Sequence, residues 1–419
     1  MFRRLGSGML ILILSRAIGV ARDLVITLAF GLTLTTDRFY QAIFPMTCVI
    51  AIMSGPFTTA FAARLAAQQI QMRRAHLKQI GSRIGWVAGI SCGLSGLFAL
   101  VLWCSPFATY QALAVPIALL SPAIAAAIVV GYVAAVAISA GRVAAAAIGN
   151  LTANAAFLLL AGSAWLVVSD PQDWLLPLCY GLAMVFALWP TWAIYTALRR
   201  NLPARSDGTP EKIPIPGFVR SFSFASAESC VFFATQLVVL VIASSQGDGV
   251  ASASALSQRI CFSVIGLFVL PFASLVMLRI IGDIPVARSV FMQNLGLLVL
   301  VLLAMGGVVL QVILPIVQRF IAPDFGALLG SFLPPFAFWV LPLGANAFLC
   351  RVMFGLGLDR PYTVITIFGY LVANVARVIA ASFGGLGTAI LAGAAVEAGL
   401  SLVLVLITLR RLPKKNRPK

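Results

Sequence analysis

The sequence predicts an all-α polytopic membrane protein of about twelve transmembrane helices in two six-helix bundles, with both termini cytoplasmic. Three observations carry this reading. The 419-residue chain is 61% hydrophobic and only 10% charged, with a mean hydropathy of +1.04, whereas roughly a quarter of a soluble domain is charged. Its apolar residues fall in stretches of about 20 or more, the length that crosses a hydrocarbon core. Most of its 29 Lys and Arg residues lie in alternate connections, as the positive-inside rule requires.

Span one runs near 8–34. Its apolar run is too long and too interrupted by charge to read as a cleavable signal. Spans two to six follow near 39–63, 84–105, 112–140, 143–168 and 175–198, and spans seven to twelve near 218–244, 252–278, 289–314, 327–350, 361–383 and 386–409. With both termini inside, the outer connections carry Asp37 and Arg38, Asp170 and Asp173, Asp248, Arg319 with Asp324, and Gly384-Gly385. The cation-rich segments around 64–83, 199–220, 279–288 and 351–360, with the tail, then fall inside. Residues 68–83 read as a short basic amphipathic helix anchored on anionic lipid. The polar segment 199–217, rich in Pro and charge, reads as a linker. It separates an N-terminal lobe, 1–198, from a C-terminal lobe, 218–409, and 410–419 forms a basic tail.

The net charge of +17 follows topology and makes no nucleic-acid patch. The seven cysteines are scattered, odd in number and without CxxC spacing, which excludes a disulfide framework or zinc site. Gly89-x-Ser91-x-Gly93 matches a nucleophile elbow but lies inside span three. The single histidine, His76, is cytoplasmic, so no Ser–His pair forms. Gly81, Gly85, Gly89 and Gly93, four residues apart, read instead as a helix-packing stripe. No P-loop is present, so ATP does not supply the energy. No large outer loop pairs carboxylates, which excludes a membrane glycosyltransferase or polymerase. The chain reads as a non-enzyme without cofactor, with Na+ or H+ as a coupling ion.

Charges inside spans are the candidate functional residues, because each costs about 2.5–3.5 kcal/mol at mid-depth. Span one holds Ser15, Arg16, Gly19, Arg22 and Asp23. Arg16, Gly19 and Asp23, at i, i+3, i+7, share one face, with Ser15 and Arg22 on a second stripe. Arg16 alternatively snorkels to the cytoplasmic boundary. Glu228 lies in span seven, Arg259 in span eight, Arg377 in span eleven and Glu397 near the middle of span twelve. Arg377 and Glu397 are offset in depth by about five residues, roughly 7 Å. They read either as a structural salt bridge or as part of a site in which Glu228 and Glu397 hold a proton or cation during transport. Asn374 supplies that site with a neutral ligand or makes a helix–helix hydrogen bond. Net positive charge thus marks the first half for an anion, and carboxylates mark the second for a coupling ion.

These residues carry a resemblance. Ser15, Arg16, Gly19, Arg22 and Asp23, then Phe30-Gly31, Asp37, Phe39 and Pro45, are similar to the first two helices of the MviN/MurJ lipid II flippases, members of the multidrug/oligosaccharidyl-lipid/polysaccharide exporter superfamily. The likeness continues through Arg142 and Asn154, Ser257 and Arg259 to Pro271, Arg351 to Pro361 and Asn374, and Gly384 to Gly387. It implies a V-shaped pair of bundles in the bacterial inner membrane, working by alternating access. It implies a cationic cavity of Arg16, Arg22 and Arg259, with Asp23 and Asp37 as helix-end partners. It also implies drive from membrane potential or a sodium gradient, with an ion site on spans seven, eleven and twelve. Three departures stand out. Val49, Ile50 and Ser54 replace the charged residues of span two, Val378 stands where an acid is expected, and the chain reads as twelve spans where lipid II flippases have two more.

The expected cargo is therefore a polyprenyl-diphosphate-linked saccharide, either a lipid II-like precursor or an exopolysaccharide unit. Membrane lipid and polysaccharide or cell-wall synthesis enzymes are the expected partners. Two alternatives remain: a cation-coupled multidrug antiporter of the same superfamily, and a non-transporting scaffold acting through the tail Arg410–Lys419.

Overall fold

A backbone in hydrocarbon must satisfy its own hydrogen bonds, so apolar segments of this length fold as helices. The computed structural model describes, from Ile70 onward, all but 169–171, 201–214, 247–249, 283–286, 321–322 and 413–419, and before Ile70 only scattered positions from Ile11 together with the helical stretch 55–62 and Leu65. The described helices are α1 Ile70–Trp103, α2 Ala108–Ser139, α3 Val143–Val167, α4 Leu175–Phe186, α5 Leu188–Arg200, α6 Ile215–Ser244, α7 Val250–Val264, α8 Leu270–Gly282, α9 Ala287–Val308, α10 Leu314–Phe320, α11 Pro323–Gly355 and α12 Asp359–Arg411. Among the described residues, nine helical segments are long and apolar enough to cross a membrane. The ninth, of 53 residues, accounts for spans eleven and twelve together.

The chain divides into two compact units, Met1–Phe222 and Ser223–Lys419. The boundary falls inside α6.

In the first unit α2 is the hub, packing on α1, α3, α4 and α5. The α1 helix is continuous from Ile70, so the basic amphipathic stretch expected at 68–83 is not a separate element. Its buried stripe is Leu77, Ile84, Ala88 and Ala99, reinforced by the Ser121 hydroxyl donating to Ser95 on the same side at 3.1 Å. This corrects the glycine-stripe expectation for Gly85, Gly89 and Gly93, whereas a Cβ on Gly81 would lie 3.1 Å from the Tyr195 hydroxyl. A Cβ built on Gly85, Gly89 or Gly93 meets nothing within 4 Å, because these residues stand one position, about 100°, round from the packed stripe. The close glycine is Gly181 on α4, where a Cβ would lie 2.4 Å from the Leu119 carbonyl of α2.

Proline places the breaks. Pro190 has no N–H for the Phe186 carbonyl and its ring would collide with it, so α4 and α5 part at Ala187. Two wide π-turns, Ile265–Val269 and Val309–Ile313, each end two residues before a proline, Pro271 and Pro315. The missing donor is absorbed there by one widened turn instead of a broken helix.

In the second unit α11 is the hub, packing on α7, α8, α9, α10 and α12. Arg351, expected in a cytoplasmic connection, lies within α11, buried, and its Nη1 donates to the Ser274 hydroxyl of α8. Asp359, at the start of α12, is buried too. Inside α12 the helical path stops at Gly385, with φ 74° and ψ −162°, a conformation open essentially to glycine. The Gln246 side chain accepts the Leu386 N–H at 3.0 Å and so caps the helix that restarts there. Spans eleven and twelve fold back on each other about this point, as the Gly384-Gly385 break predicts.

Candidate functional site: the intramembrane charges of each unit

In the first unit the described charge is Arg22. The first span lies against α3. The Ser15 hydroxyl, buried, donates to the Ala147 carbonyl at 3.5 Å, and the Asn154 amide donates to the Ser15 carbonyl at 3.4 Å. Arg22 Nη1 donates to Asn154 Oδ1 at 3.0 Å. Asn154 thus uses one end of its amide to hold the helix backbone and the other to hold the guanidinium. Gly19 makes room, since a Cβ there would be 3.2 Å from Asn154 Nδ2.

The guanidinium carbon also sits 5.8 Å from the Phe157 ring centre and 5.7 Å from that of Tyr180, within cation–π range. Phe157 and Tyr180 meet edge to face at 5.5 Å, and Phe39 stacks on Phe157 at 6.0 Å. Arg22 is therefore a half-buried cation in an aromatic corner. Ser15 and Arg22, about 20° apart at 100° per residue, share the stripe expected of them, and Gly19, about 40° from Ser15, also meets Asn154. Arg16, Asp23 and Asp37 lie outside the described residues.

In the second unit Arg377 and Glu397 form a salt bridge at 2.6 Å, with both side chains 0% exposed. The other carboxylate oxygen of Glu397 accepts from Trp339 Nε1 at 2.7 Å. Arg377 Nη1 donates to Asn374 Oδ1 at 3.1 Å, and Asn374 Nδ2 donates to the Thr235 hydroxyl at 3.1 Å. The guanidinium carbon lies 4.7 Å from the Trp339 ring centre. Gly393 lets it in, since a Cβ there would stand 2.3 Å from the guanidinium carbon. A buried pair survives only with such further partners, because removing two ions from water costs several kcal/mol each.

Asn374 and Glu397 are thus brought together through Arg377. Glu228, on α6 two turns before Thr235, makes no hydrogen bond among the described residues. It lies within electrostatic reach of Cys350, Tyr362 and Tyr370, and buried Tyr370 feels both Glu228 and Glu397. Arg259 is exposed on α7. Trp339, Gly393, Phe157 and Tyr180 were not readable as partners from sequence, where each is one more apolar or small residue in a span, and Asn154 was named only as part of the resemblance. Among the described residues no group of His, Cys, Asp and Glu could hold a metal ion.

Solved structures with this arrangement of helices include MATE proteins and a further MOP superfamily transporter. A MATE structure in complex with MaL6 superposes with a TM-score of 0.80, at 10% identity over 98% of this chain and 96% of that one. The fold is that of the MATE transporters. An outward-facing multidrug resistance MATE family transporter of the MOP superfamily gives 0.78 at 12% identity, over 98% of this chain and 94% of its own. A MOP superfamily transporter from Pyrococcus furiosus, described as having a binding pocket of reverse polarity that suggests a different function, gives 0.80 at 10% identity, over 99% and 96%. No protein-family model matches the sequence, and no curated protein matches it. The likeness therefore establishes the multi-pass fold and leaves the MviN/MurJ resemblance as a reading of particular residues.

Proposed function

We propose that the chain is an ion-coupled exporter that carries an amphiphilic cargo across the bacterial inner membrane by alternating access. The observation that carries this is Glu228, an intramembrane carboxylate without hydrogen bonds among the described residues, in a chain whose fold is otherwise found in exporters. Buried carboxylates of this kind mark ion and proton pathways. The neighbouring carboxylate, Glu397, is held by Arg377 and Trp339, so Glu228 is the group placed to exchange an ion.

Two cargo classes have support. A cation-coupled multidrug antiporter is backed by the solved structures, among them a multidrug resistance transporter, and has the broader support. A flippase for a polyprenyl-diphosphate-linked saccharide is backed by Arg22, a cation inside the first unit, and by the resemblance of the first helix. A guanidinium suits a diphosphate through charge-assisted hydrogen bonds.

Proteoliposomes with an imposed proton or sodium gradient separate the readings. Gradient-driven movement of ethidium supports the antiporter. Movement of a fluorescent undecaprenyl-diphosphate saccharide, lost in Arg22→Ala, supports the flippase. Either activity should disappear in Glu228→Gln at unchanged expression. If the wild-type chain moves neither cargo under either gradient, the exporter reading is wrong.

A further inference from the structure

The cluster around Arg377 has the form of a cation site. A carboxylate oxygen of Glu397 and the amide oxygen of Asn374 converge on the guanidinium at 2.6 and 3.1 Å, and the face of Trp339 lies 4.7 Å from its carbon. Each ligand is fixed from behind. The Thr235 hydroxyl takes the Asn374 N–H at 3.1 Å, so the amide presents its oxygen and not its nitrogen. The Trp339 N–H takes the second oxygen of Glu397 at 2.7 Å, which sets the carboxylate plane. The Ser401 hydroxyl, one turn on, lies 2.9 Å from the Glu397 carbonyl and 2.8 Å from Asn346 Oδ1, with its one proton available to either, tying that turn of α12 to α11. A single carboxylate, an amide oxygen and an aromatic face together suit one positive charge, and here that charge belongs to the chain.

We propose that Arg377 is a tethered cation permanently filling a monovalent-cation site built by Glu397, Asn374 and Trp339, and that removing its side chain opens the site to a free cation. Glu397 and Arg377 are both fully buried, so the resident charge does not exchange with solution. The corollary for transport, which rests on the ion-coupled reading above, is that this site needs no sodium and that the proton is the ion carried by Glu228.

The test uses the full chain purified in detergent. Arg377→Ala should lose on the order of 10 °C in Tm, as expected for an uncompensated buried charge. It should regain at least half of that loss in guanidinium chloride or sodium chloride at roughly 20 mM, far below denaturing concentrations, and none in choline chloride. The wild-type Tm should be the same in all three salts. Equal depression of Arg377→Ala in every salt, or a wild type stabilised by sodium over choline, overturns the proposal.

If Arg377→Ala does not accumulate, the double variant Arg377→Ala/Glu397→Gln decides. With no charge left to compensate it should accumulate at the wild-type level, and its failure to do so overturns the proposal. In proteoliposomes, replacing sodium by choline should leave proton-driven transport unchanged. A loss there overturns the corollary, whereas absence of any transport overturns the exporter reading and leaves the Tm measurements to decide on Arg377.

Discussion

Gly393→Ala is the most direct probe of the buried cluster. An added Cβ would stand 2.3 Å from both Cζ and Nε of Arg377 and 2.7 Å from Nη2. Carbon contacts are comfortable near 3.5 Å, so the guanidinium would have to retreat by about 1 Å. It has little freedom to do so. It is bonded to Glu397 at 2.6 Å and to Asn374 at 3.1 Å, and the Trp339 ring is 4.7 Å away. Either the helix pair opens or a charge-assisted hydrogen bond is lost. Overpacking alone costs about 1–3 kcal/mol, and weakening a buried ion pair raises the total to about 3–5 kcal/mol.

The assay is thermal unfolding in detergent of four chains: wild type, Gly393→Ala, Arg377→Ala and the double variant. In the Arg377→Ala background the alanine at 393 has nothing to strike, and its cost should fall below about 1 kcal/mol. Such a coupling is what contacting residues show. An equal cost of Gly393→Ala in both backgrounds would refute the reasoning.

Asn154→Leu should destabilise the first unit by about 1–3 kcal/mol, because it removes the amide oxygen that accepts from Arg22 and the amide N–H that donates to the Ser15 carbonyl. Asn154→Asp, which keeps the acceptor at that position, should recover most of the loss in the same Tm measurement. On α4, Gly181→Ala drives a Cβ to 2.4 Å from the Leu119 carbonyl and should lower Tm by the overpacking cost of about 1–3 kcal/mol. Gly89→Ala on α1 enters open space and should leave Tm unchanged or slightly raised, since alanine favours helix over glycine by about 1 kcal/mol. A reversed order of these two glycine variants would mean that α1 packs through its glycines after all.

The helical framework was legible because hydropathy and chain length act alone on it. The break between spans eleven and twelve was visible in Gly384-Gly385, since glycine leaves a signature wherever the backbone must turn. The Arg377–Glu397 salt bridge was one of the two readings that two charges on consecutive antiparallel spans left open, and the structure forms it. What escaped was whatever depends on the azimuth of a helix. That Gly19 meets Asn154 beside Ser15 and Arg22, and that Gly85, Gly89 and Gly93 of α1 are unpacked, both turn on which side meets a neighbour, and spacing alone leaves that open by tens of degrees. Trp339 escaped for a related reason: an indole N–H in an apolar span gives no sign of the carboxylate it will meet on another helix. Arg351 was read as a loop cation because the distance from span ten to Pro361 was counted as connection, whereas α11 continues as helix to Gly355.

The proline-linked π-turns carry a consequence for register. A π-turn holds one residue more than an α-turn does, so everything beyond Ile265–Val269 is rotated by about 100° relative to an unbroken α-helix. The face that α8 offers to α11, including Ser274 under Arg351, is set by that surplus residue. Deleting one residue from the turn would leave the composition of the span almost untouched. It would nevertheless turn Ser274 away from its arginine and carry every following side chain round with it. The length of this span is therefore a phase as well as a distance, and an alignment gap placed there would misassign every facing residue of α8.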